Sequence, residues 1–88
     1  MNYNFVINAM NHLSRITVNP EICHGKPCVR GMRWPVVVLL DLLGSGMTNA
    51  EIIEDHPELV VEDIYAVLQY AGLLASGRPL SDVLALQI

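Results

Sequence analysis

The chain predicts a mainly helical domain fronted by a short β arm or hairpin, and three observations carry that expectation. "MTNAEI" is a helix-start signature: Thr48 at the N-cap and Glu51 three residues later form a capping box, flanked by a Met47–Ile52 hydrophobic staple. Further on, Ile64, Val67, Leu68, Ala71 and Ala75 recur at i, i+3, i+4 and i+7, the pattern of one apolar helix face. Upstream, "RITV" (residues 15–18) and "PCV" around Cys28 are short β-branched stretches. Asn19-Pro20 punctuates them, and Gly25 and Gly31 are free to take positive φ.

Beyond the arm, Trp34 precedes Pro35, which biases it to an extended conformation. Pro35 suits a first helical turn, and "VVVLLDLL" continues it until Gly44 and Gly46. The valines also suit a strand, but helix is the reading taken. Asp41 is the only polar residue in that run, so this helix is expected to be buried on nearly every side, with a second subunit helping. The capped helix stops near His56 because Pro57 cannot continue it. The next runs from about residue 61 to 75, with Glu62 and Asp63 favourable in its first turn. Tyr65, Gln69 and Tyr70 point towards solvent or a partner. The tail "GRPLSDVLALQI" is apolar again, with Ser81 available to cap a last short helix. The expected organisation is an N-terminal arm (1–14), a domain (15–76) and an apolar C-terminal tail (77–88).

Bulk properties narrow the function classes. Eighty-eight residues make one domain, and such a chain buries only ~60–65% of its unfolded surface. Hydrophobic residues make up 52%, with mean hydropathy +0.39. That excess predicts a homodimer or another protein partner. No run of apolar residues is long enough to span a membrane. The N-terminus carries no cation ahead of its apolar patch and makes a poor signal peptide, so a cytoplasmic location is expected. Met10 is an alternative start. The net charge of −4 is unevenly spread: residues 15–33 carry about +3, from Arg15, Lys26, Arg30 and Arg33 against Glu21. From Trp34 onwards the balance is about −7. The basic front is where an anionic partner is expected to meet the chain.

Chemistry is sparse. Cys23, His24 and Cys28 suggest zinc, but His12 and His56 are the only candidates to complete a four-ligand set, and neither is paired with another ligand. No metal or other cofactor is expected. "HGKP" lacks the length and the Lys-Ser/Thr ending of a nucleotide-binding phosphate loop. No nucleophile stands in a recognisable arrangement with a base, so no catalytic residues and no enzyme activity are expected. The helix pair around "DHPELV" raises a helix-turn-helix reading, yet residues 61–75 hold no Lys or Arg to neutralise phosphates.

The stretch "RITVNPEICHGKPCVRGMRWPVVVLLDLLGSGMTNAEIIEDHPELVVEDIYAVLQYA" resembles the domain-of-unknown-function family 433. The likeness rests on colinear short motifs: Ile then Asn-Pro, Gly-Lys-Pro, Gly-x-Arg-x-Pro-Val, Gly-x-Thr-x-x-Glu-Ile, Pro-x-Leu, and Glu-Asp-Ile with Tyr-Ala. His24 stands where the family usually has the first of two glycines, and Met32 and Trp34 replace Thr and Ile/Val. Val61 stands where a Thr or Ser would cap the last helix. The resemblance implies a short β arm ahead of a homeodomain-like or winged helix-turn-helix bundle. It also implies a type II antitoxin-like role, binding a PIN-like toxin and operator DNA; a dimerisation module that does not touch DNA is the alternative. The residues expected to meet nucleic acid or a partner are Arg15, Lys26, Arg30, Arg33, Tyr65 and Gln69. Gly25, Pro27, Gly31, Pro35, Thr48 and Glu51 are expected to shape the motif. Arg33 is equally suited to bind Asp41 or Glu51 of its own body.

Overall fold

Residues 16–17 and 28–29 are β-branched or thiol-bearing pairs that close the only ladder among the described residues. The computed structural model describes residues 11–77. The N-terminal ten residues and the tail from 78, including the helix expected after Ser81, lie outside them. Strands β1 (Ile16–Thr17) and β2 (Cys28–Val29) pair antiparallel, Ile16 opposite Val29 and Thr17 opposite Cys28. The segment before Pro35 adds a third extended layer. The Val29 N–H donates to the Trp34 carbonyl at 3.0 Å, and Pro35 bridges Cys28.

Three helices complete the domain: α1 (Val36–Gly44), α2 (Asn49–Asp55) and α3 (Val61–Ser76). Pro35 is not inside the first turn of α1. It is the N-cap, with ψ 139°, because the bridge to Cys28 holds it extended. The start of α2 is as its sequence predicts. The Glu51 N–H donates to Thr48 Oγ1 at 3.1 Å, and the Thr48 N–H donates to Glu51 Oε1 at 2.9 Å. At the far end, His56 leaves helical geometry immediately before Pro57. The end of α3 is set by Gly77, whose φ of 78° is the left-handed conformation that terminates helices.

The core is one cluster in which α3 is the spine, flanked by α1, α2, β1 and a 3-10 turn at Leu13–Arg15. Leu13, Val29, Leu39, Ile52, Leu59, Ile64 and Val67 are fully or almost fully buried. One expectation needs correction. The inward face of α3 includes Ile64 and Val67, but Leu68 is 47% exposed and Ala75 is exposed as well. Asp63, Ala66 and Leu73 take the buried positions instead. The helix has two apolar sides, and periodicity alone does not say which one the rest of the chain covers. Helix α1 is enclosed only in part by its own chain. Val36 and Leu39 are buried, while Val37 and Val38 face outwards.

Candidate interaction surface

The basic front is organised around a buried acid. Asp63, in the first turn of α3, is fully buried. Its Oδ1 accepts Arg30 Nε at 2.8 Å and Arg15 Nη1 at 3.1 Å. Its Oδ2 accepts Arg30 Nη2 at 2.9 Å and the Val60 N–H at 3.0 Å. Arg30 Nη2 also donates to the Glu58 carbonyl at 3.0 Å. Every strong acceptor direction of the carboxylate is used, as a buried charge requires. Burial alone raises the Asp63 carboxyl; the bonds from Arg30, Val60 and Arg15 outweigh it and hold the group below its ordinary value. Arg15 and Arg30, though still partly open to solvent, therefore spend their guanidinium bonds on the buried acid and fasten the hairpin to α3.

The backbone prepares this clamp. Arg30 sits at φ 48° just after β2, in the left-handed region, and its N–H donates to the Arg15 carbonyl at 2.7 Å. Gly31 is next at φ 69°, and its N–H donates to Thr17 Oγ1 at 2.8 Å. A glycine suits that conformation because it has no Cβ to strain it. The opposite end of the hairpin is tighter still: Cys23, His24 and Gly25 have φ of 51°, 57° and 81°. Only the third is glycine, so the histidine in the first glycine position carries backbone strain.

The remaining expected residues divide by role. Lys26 and Arg33 are exposed and form no ion pair among the described residues; Arg33 does not pair with Asp41 or Glu51. Gln69 is half-buried, and its Oε1 accepts the His12 N–H at 3.0 Å. Tyr65 is 42% exposed, its ring tilted against His12 at 5.5 Å. Pro27 supplies the carbonyl that accepts the Val36 N–H, which ties the loop to the start of α1. Trp34 has a contact that a branched aliphatic residue lacks. Its indole N–H donates to Glu58 Oε2 at 2.9 Å, and its ring meets His56 edge-on at 4.6 Å. Cys28 is buried, and its burial, then the neighbouring free Cys23 thiol, pushes its own thiol up.

Sequence reasoning missed two features. One is the burial of Asp63; its signal is an acid at the third helical position opposite an arm with more arginines than nearby acids. The other is the outward face of α3. Val61, Tyr65, Leu68, Gly72 and Ala75 recur at alternating spacings of four and three, and none is charged. Tyr65, Leu68, Gly72 and Ala75 are exposed and Val61 is half-buried. This repeat matches the seam along which two helices pack.

The comparisons with known proteins agree with this architecture. No curated protein matches the chain. Among solved structures it is similar to the crystal structure of a DUF433 member protein from Anabaena variabilis ATCC 29413. The two are 25% identical, with 88% of this chain and 80% of that one covered and a TM-score of 0.66. A family model described as "Protein of unknown function (DUF433)" matches residues 16–71, from the first strand to the penultimate turn of α3. The chain belongs to the DUF433 family.

Proposed function

We propose that this domain is an antitoxin-like protein-interaction module that self-associates and engages a partner protein through the outward face of α3. The observation that supports the reading is the uncharged row of Val61, Tyr65, Leu68, Gly72 and Ala75. Gly72 and Ala75 let a second helix approach closely, while Leu68 and Tyr65 supply apolar area. The partner implied by the family resemblance is a PIN-like toxin. We read the hairpin and three helices as the homeodomain-like or winged helix-turn-helix arrangement, with α2 and α3 as the helix pair. Such a pair reads DNA only if cations reach phosphates. Arg15 and Arg30 are engaged by Asp63, and α3 carries no Lys or Arg. Operator DNA is therefore secondary, dependent on Lys26 and Arg33.

Light scattering on the full chain at micromolar concentration tests self-association. A dimer is expected, converted to monomer by Leu68→Asp with its helical circular dichroism intact, because Leu68 lies outside the core. A wild-type species of 9.7 kDa would overturn it. Titration of promoter DNA at several salt concentrations tests the secondary contact. A salt-steep affinity lost in Lys26→Ala and Arg33→Ala would restore DNA to the leading role.

A further inference from the structure

Residues 63, 67, 70 and 74 form one row along α3, spaced four, three and four residues apart. Asp63 and Val67 are fully buried and Tyr70 packs against the core, yet Leu74 in the same row is 57% exposed. The row thus runs beyond the elements that cover it. Tyr70 and Leu74, with Pro27, Val37 and Leu40 opposite, line an open groove of about 400 Å³. Lys26 is the cation among its lining residues, and it has no acidic partner among the described residues.

Apolar sequence follows directly on the helix that forms one wall of this groove. Helix α3 ends at Gly77, roughly 4.5 Å along the axis from Leu74. The left-handed φ of Gly77 turns the chain out of the helix direction. Beyond this glycine the sequence reads "RPLSDVLALQI", with Leu80, Val83, Leu84, Leu86 and Ile88 and a single acid, Asp82.

We propose that the groove is the seat of residues 80–88 of the same chain, with Val83 and Leu84 entering between α1 and α3 and Asp82 meeting Lys26. Seven residues from Gly77 to Leu84 reach at most ~25 Å, far more than the turn of helix that separates Gly77 from Leu74. Direct attachment gives the tail an effective concentration that a second copy at micromolar levels does not match. The one acid of the segment also complements the one cation of the groove. This seat lies on a different side of α3 from the self-association face, so the two readings fail independently.

Nuclear Overhauser contacts in the isotopically labelled full chain test the proposal. Contacts are expected between the Tyr70 ring or Val37 methyls and the methyls of Val83 and Leu84, present within one chain and unchanged on dilution. In Leu84→Asp the amide signals of Val37, Leu40 and Leu74 are expected to shift and the unfolding midpoint to drop by several degrees. Asp82→Lys is expected to shift the same signals, with partial return in the Asp82→Lys/Lys26→Asp pair. Contacts seen only between differently labelled chains would assign the groove to a second copy and overturn the proposal. Absence of tail contacts, with groove signals unmoved by Leu84→Asp, would overturn it too.

Discussion

Helices α2 and α3 each begin with an acid at the third helical position that accepts the N–H of the N-cap residue. At α2 the acid is Glu51, exposed; its carboxylate accepts the Thr48 N–H three residues away, and its own N–H donates to Thr48 Oγ1. At α3 the acid is Asp63, fully buried, and its partners come from 48 and 33 residues away. The carboxyl of Glu51 is lowered by bonds with Thr48 alone, while that of Asp63 is lowered against its burial by two arginines and a backbone N–H. One position therefore performs two tasks. At α2 it finishes a local helix start. At α3, where Val60 has no hydroxyl to complete the box, it still accepts the N-cap N–H and locks the hairpin onto the spine of the fold.

The largest effect expected from this difference is that of Asp63→Ala. Removing the acid deletes its four hydrogen bonds and leaves two arginines without their carboxylate; both are about a third exposed and can rehydrate, so a cost of ~2–3 kcal/mol is expected, below that of a wholly buried pair. Urea unfolding of the variant would show a sharply reduced midpoint; a loss under 1 kcal/mol, on the scale of an ordinary cap, would erase the contrast. The same acid sets a pH dependence. Its folded pKa is depressed, so its contribution is complete above the ordinary carboxylate value and is lost as pH falls through the folded value. Unfolding midpoints are expected to fall steeply only below about pH 4, and to do so less in Asp63→Asn.

Arg30→Ala comes next, at about 2 kcal/mol, because it deletes a bidentate pair and a bond to the Glu58 carbonyl. Arg15→Ala deletes one bond and is expected to cost less. Equal losses in thermal melts would mean that the fork geometry is unimportant. Thr48→Ala at the local cap is expected to cost ~1 kcal/mol, with a smaller change in the acid limb than Asp63→Asn gives, because the Glu51 carboxylate keeps the backbone N–H at position 48. The smallest change has the opposite sign. His24→Gly is expected to stabilise the domain by up to ~1 kcal/mol, because glycine relieves the left-handed strain at φ 57°. A destabilised variant would show that the imidazole has a role that outweighs the strain.

Legibility in the sequence follows the range of each interaction. The α2 cap, its stop before Pro57 and positive φ at Gly25 and Gly31 rest on chain chemistry within a few residues, and the short stretches around Ile16 and Cys28 show in their own composition before they pair at longer range. They are readable for that reason. Pro35 is displaced by one residue because a bridge to Cys28, outside its local window, holds it extended. Arg15 and Arg30 are expected at a partner surface, as cations are usually solvated. Their engagement depends on Asp63, which comes into reach only when α3 packs on the hairpin.

The candidate surface divides along the same line. The sequence by itself determined that the chain has more apolar residues than a small domain readily hides, that its cations cluster at one end, and that its last long helix carries none. Only the tertiary structure decided which apolar side of α3 is core and which is outward, and which cations are engaged. Helical periodicity repeats on every face that carries apolar residues, and it contains no information about direction. Direction is set by what the rest of the chain covers, and that depends on contacts between residues far apart in sequence.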